Sequence, residues 1–125
     1  MTTPESVCPD YRKWPRRWMF EDEDIPIGEK LIETMTPFIG SLISSGLSKK
    51  TVKRHMDNLW LLGGEIVRDV SQNEEYATFS PRDKLLDSIG PEGGPYCRDL
   101  DSESDINSFD STCRKLFIFL RSNAD

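Results

Sequence analysis

The chain has little histidine and cysteine, and no apolar run approaches the roughly 18 residues that a membrane helix needs. Each shortage removes a class of function. The opening "MTTPESVCPDYRKW" lacks the apolar core of a signal peptide, so a cytoplasmic protein that does not enter a membrane is expected. Cys8, Cys97 and Cys113 are odd in number, widely spaced and free of any CxxC pairing. They argue against a disulfide framework and a structural zinc site, and read as free buried or half-buried thiols. The single histidine, His55, has no sequence neighbour that would make it a catalytic dyad, so packing or solvent exposure is its expected role. "GPEGG" is followed by no Gly-Lys-Ser/Thr and is not a phosphate loop. The "EDED" run at 21–24 reads as solvated or salt-bridged acids. No β-rich segment or internal repeat is visible. The expectation is an all-α, non-enzymatic protein without cofactor or metal.

What is present is a charged, moderately apolar chain. Of its 125 residues, 36% are hydrophobic and 30% charged, with a formal net charge of −6. That length suits one domain with a core of its own. Residues 1–70 carry 10 basic and 11 acidic side chains, whereas residues 71–125 carry 6 and 11. A phosphate backbone gains little from an acidic protein, so any nucleic-acid contact must come from a local patch.

The segment 1–26 reads as an irregular N-terminal arm. Prolines at 4, 9, 15 and 26 punctuate it, and a basic-aromatic stretch gives way abruptly to the acidic run. Trp14, Trp18, Met19 and Phe20 give the arm something to bury, so it should lie ordered along the domain of residues 27–125. From Ile27 a helical stripe runs through Leu31, Met35, Phe38, Ile39 and Leu42. Pro37 divides it into two short helices or kinks one. Gly46 suits the left-handed position that ends it.

A second helix is expected from a Ser48 cap to about Val70. Val52, Met56, Leu59, Gly63, Ile66 and Val70 form its inner face; Lys50, Arg54, Asp57, Leu61 and Arg68 lie opposite. Lys53 and His55 sit on the two borders. The apolar run 59–62 covers the whole circumference, so the middle of this helix should be buried all round. Gly63-Gly64 costs about 1 kcal/mol per glycine relative to alanine, which implies that another helix crosses closely there. After a polar connection at 71–80, Ser80-Pro81 caps a short helix to about Gly90, and 90–96 is a turn-rich loop. The last helix should span 106–121, with Phe109, Thr112, Cys113, Leu116, Phe117 and Leu120 inward. The sum is a small bundle of four to five helices. Leu61 and Ile118, if exposed, would imply a homodimer.

Two basic clusters hold 8 of the 16 lysines and arginines: Lys49, Lys50, Lys53 and Arg54 early in the second helix, and Arg12, Lys13, Arg16 and Arg17 among the arm's aromatics. With Ser48 and Thr51, the helix start offers amides, hydroxyls and cations to phosphate. Cations there oppose the helix macrodipole by a few tenths of a kcal/mol each, which favours a functional reason for them.

The stretch "FIGSLISSGLSKKTVKRHMDNLWLL" (38–62) resembles the SAM-like core-binding domain of tyrosine recombinases and phage integrases. That resemblance implies a small helical bundle clamping DNA, with Ser48, Lys49, Thr51, Lys53 and Arg54 facing it. The Arg…His-x-x-Arg…Tyr catalytic set of those enzymes does not occur here. "LSKKTVKRHMDNL" is also similar to the recognition helix of response-regulator helix-turn-helix domains, which implies Lys50, Lys53 and Arg54 in a major groove. No "E-I-A-x-x-L" helix precedes it, however. "NLWLLGGEIVRD" and "SFDSTCRKLFIFL" look similar to stretches of small bacterial proteins, some linked to mobile elements.

Two functions follow as expectations. The first is a DNA-associated helical protein using both basic clusters. The second is an acidic interaction module (an antitoxin, inhibitor or accessory factor) that binds a basic protein through Asp99, Asp101, Glu103, Asp105 and Asp110.

Overall fold

The computed structural model describes residues 2–122, and they are all-α. In chain order the elements are α1 (Pro4–Val7), a 3-10 turn (Tyr11–Lys13), α2 (Trp14–Trp18), α3 (Asp24–Ser44), α4 (Lys49–Gln72), α5 (Glu74–Ala77), α6 (Pro81–Ser88) and α7 (Glu103–Ser122). The described residues contain no strand; Gly90 and Gly93 form one isolated bridge. No helix among them is long and apolar enough to cross a membrane.

α3, α4, α6 and α7 make the bundle, and the single-turn helices fill in around it. Local chemistry sets most boundaries. Ser48 Oγ accepts the Thr51 N–H at 3.1 Å and Ser80 Oγ that of Asp83 at 3.1 Å, so both expected caps form. Gly46, at φ +85°, makes the left-handed turn between α3 and α4. α3 begins three residues before Ile27 and passes through Pro37 as one helix. The polar connection after α4 holds an extra turn, α5, because Asn73 Oδ1 caps it by accepting the Glu75 and Tyr76 amides. α7 starts at Glu103 rather than 106, with Asp105's N–H donating to Ser102 Oγ.

The N-terminal segment is irregular, a chain of short turns, yet it supplies core. Tyr11, Trp14 and Trp18 are buried. Pro4 and Pro15 stand in the first turns of α1 and α2, where a missing N–H costs nothing. α2 wedges between α3 and α4 at two glycines. A Cβ on Gly28 would fall 2.9 Å from Pro15, and one on Gly63 would fall 2.2 Å from the Trp18 ring. The close approach expected at Gly63 is therefore real, but an indole makes it, not a crossing backbone. Trp18 Nε1 then donates to the Trp60 carbonyl at 2.9 Å.

Two burial expectations change. Trp60 is 40% exposed and Leu61 is half-buried, so the middle of α4 is not covered all round. Ile118 is exposed, as a dimer face would require, while Leu61 is only partly so.

Candidate nucleic-acid interface

α4's first half presents its cations on a ridge between α2 and α7. Lys49 and Lys50 are exposed and make no ion pair among the described residues. Ser48 and Thr51 are committed to the cap, the Ser48 hydroxyl donating to Thr51 Oγ1 at 3.0 Å. Lys53 pairs with Asp57 at 2.7 Å along the helix, and that carboxylate raises the lysine's pKa. Arg54 leans to α7 and donates to Ser108 Oγ at 2.7 Å.

The arm's cluster divides. Arg17 lines one groove with Cys8, Asp10, Trp14, Lys53, Asp57 and Trp60, so one cation from each cluster meets there. Arg17 pairs with Asp10 at 3.3 Å. Arg12 is elsewhere, against α3 beside Glu29 and Glu33, pairing with Glu5 at 3.6 Å and covering the Tyr11 ring. Lys13 and Arg16 are exposed. None of the arm's arginines pairs with the acidic run at 21–24 among the described residues. That run is not wholly solvated: Asp24 is buried, and its carboxylate accepts the amides of Phe20 (2.9 Å) and Glu21 (3.2 Å).

Beneath the ridge lies a buried polar seam between α4 and α7. His55 Nδ1 is 2.7 Å from Thr112 Oγ1, and Asn58 Nδ2 donates to Thr112 Oγ1 (2.9 Å) and the Ser108 carbonyl (3.1 Å). Burial first, then the charges of Arg54 and Lys115, push the His55 pKa down to about 4. That perturbation brings in Lys115 on α7, whose charge, like that of Arg54, reaches His55. Sequence reasoning missed it, because Lys115 comes near His55 only once α7 packs on α4.

The thiols are poor nucleophiles here. Burial and the Asp10 carboxylate raise Cys8 to about 11, and burial raises Cys113 to about 12. All three cysteines are buried and free, and no cluster of potential metal ligands occurs among the described residues.

The five acids of the second expectation separate. Asp99, Asp101, Glu103 and Asp105 are exposed without an ion pair among the described residues. Asp110 instead anchors the 90–96 loop, its Oδ1 accepting the Gly94 N–H at 3.1 Å. No family model, curated protein or solved structure matches this chain.

Proposed function

We propose that this is a small non-catalytic helical protein of the cytoplasm that associates with DNA through the ridge at the start of α4. The observation that carries the reading is that Arg17 of α2 and Lys53 of α4 line one groove, with exposed Lys49, Lys50 and Arg54 on the same stretch of α4. Lys49 and Lys50 carry the phosphate contacts, since neither is held by an acid. Lys53 and Arg17 each keep a carboxylate partner, and exposed pairs of that kind are worth at most about 1 kcal/mol, so phosphate can compete for both cations. Arg54 acts mainly as a strut to α7. The likeness of 38–62 to an integrase core-binding domain supports the same surface. Charge-led contact of this sort reads the backbone, with little base selection.

The test is duplex and single-stranded DNA binding followed by anisotropy from about 50 to about 200 mM salt. Lys49→Glu/Lys50→Glu/Lys53→Glu is the informative variant, because it leaves the Arg54–Ser108 strut intact. The expected result is steep salt dependence for the natural chain. In the variant, the slope of log K against log salt should drop by about 3, one unit per lost contact. Absence of binding at the lowest salt would remove the DNA reading.

A further inference from the structure

Beside the ridge, α4 continues into an aromatic groove that shares only Arg17 with the DNA reading. Trp18, Phe20, Trp60, Leu61 and Gly64 line it, with Arg17, Glu65, Arg68 and Asp99 at its edges. Phe20 is 67% exposed and Trp60 40%, and both line the one groove, an unusual state for two large aromatics with no role in the core. Such rings are what protein contacts are anchored on. Gly64 keeps the groove open, because only the Trp18 ring lies beneath it.

The surroundings are acidic. Phe20 is followed by exposed Glu21, Asp22 and Glu23. On the other edge stands Asp99, from which the exposed acids Asp101, Glu103 and Asp105 lead into α7. α7 packs on α4 through Ser108 and Thr112, which meet His55 and Asn58, and Asp99 lines the groove beside Leu61, Gly64 and Glu65. The two edge cations are already matched internally, Arg17 with Asp10 (3.3 Å) and Arg68 with Glu65 (3.4 Å). Among the described charged residues that line the groove, Asp99 is the one without an ion pair, and an unmatched carboxylate there favours a cation.

We infer that this groove docks a basic segment of another protein, which inserts one large apolar side chain between Phe20 and Trp60 and lays lysines or arginines on the acids at either edge. The groove's volume of about 180 Å³ suits a single anchoring side chain and not a folded domain. Aromatic anchorage supplies affinity, while the acidic edges select the partner and speed its approach. The inference does not require DNA binding: Arg17 and Trp60 border both surfaces, whereas Lys49 and Lys50 do not line this groove.

The experiment is a tryptophan-fluorescence titration of the full chain with three synthetic peptides of about 15 residues, all lacking tryptophan. One is Lys/Arg-rich with a central Leu-Leu, one replaces its cations by Glu, and one replaces its leucines by Ser. The first should bind at least about tenfold more tightly than either control. Phe20→Ser and Trp60→Gln should each weaken it by about tenfold or more, with Phe20→Ser melting like the natural chain because its side chain is exposed. Lys49→Glu/Lys50→Glu should bind it undiminished. Failure of the basic Leu-Leu peptide to bind would overturn the inference. So would equal binding of the acidic or leucine-free peptide, or unchanged affinity in Phe20→Ser.

Discussion

Gly63→Ala is expected to destabilise the fold by about 2 kcal/mol, although alanine is the better helix former by about 1 kcal/mol. The added Cβ would stand 2.2 Å from the Trp18 ring, so the indole must leave its seat against α4. Trp18 cannot shift cheaply, because its Nε1–H is tied to the Trp60 carbonyl and its ring meets Trp14 at 5.7 Å between centroids. Its neighbour supplies the control. A Cβ on Gly64 would meet Trp18 at 3.5 Å, an ordinary contact, so Gly64→Ala should stabilise by up to about 1 kcal/mol. Trp18→Leu alone should cost on the order of 3 kcal/mol through lost burial and an unmet carbonyl contact. In that background the sign at position 63 reverses, and alanine becomes favourable. Urea midpoints for the four variants check this. A penalty at Gly63 that persists after Trp18→Leu would show that the indole is not what the glycine accommodates.

That pair of glycines also marks the limit of what the residues announce. α4 was legible in almost every part: the Ser48 cap, the inner face from Val52 to Val70 and the Gly46 turn all appear as read. Periodicity reports which face a helix buries but not what buries it, so Gly63 pointed to a close neighbour without naming Trp18. The turns before α3 were hidden for a different reason. Four prolines in 26 residues read as breaks, yet two of them open short helices that only tertiary contact stabilises.

The candidate surfaces were legible by halves. Lys49, Lys50, Lys53 and Arg54 were readable as one basic cluster, whereas the partners of Arg12, Arg17 and Arg54 come from residues that the sequence pattern did not pair with them. The aromatic groove had a signal that the run Leu59-Trp60-Leu61-Leu62 concealed. Trp60 lies seven residues after Lys53 and three after Asp57, on a polar stripe of the helix. A tryptophan among charges on such a stripe indicates a contact surface and not a core position. Reading hydrophobicity alone placed it inside.

Acid should weaken the protein through His55, and the sign follows from its contacts. Thr112 Oγ1 accepts from Asn58 Nδ2 and lies 3.3 Å from the Ser108 carbonyl, to which its own hydroxyl donates. With Nδ1 carrying the imidazole proton, His55 donates to Thr112 Oγ1, and Nε2 is left as an acceptor for Arg54 Nη2 at 3.4 Å. Every donor then has an acceptor. A second proton would have to sit on Nε2, facing the Arg54 guanidinium with Lys115 nearby, in a site closed to water. The folded pKa therefore falls to about 4 from an ordinary 6.5. Unfolded chains bind this proton more readily than folded ones, so the stabilisation present above pH 6.5 is lost as pH falls toward 4. Its full size is on the order of 3 kcal/mol, set by the span between the two pKa values. His55→Asn keeps a donor for Thr112 but cannot titrate, so its urea midpoint should change less between pH 7 and pH 4.5 than that of the natural chain. Asp10, whose pKa is lowered chiefly by the Cys8 thiol, is common to both proteins and drops out of the difference. Identical pH slopes in the two would assign the acid sensitivity to carboxylates and leave the His55 seam a purely steric contact.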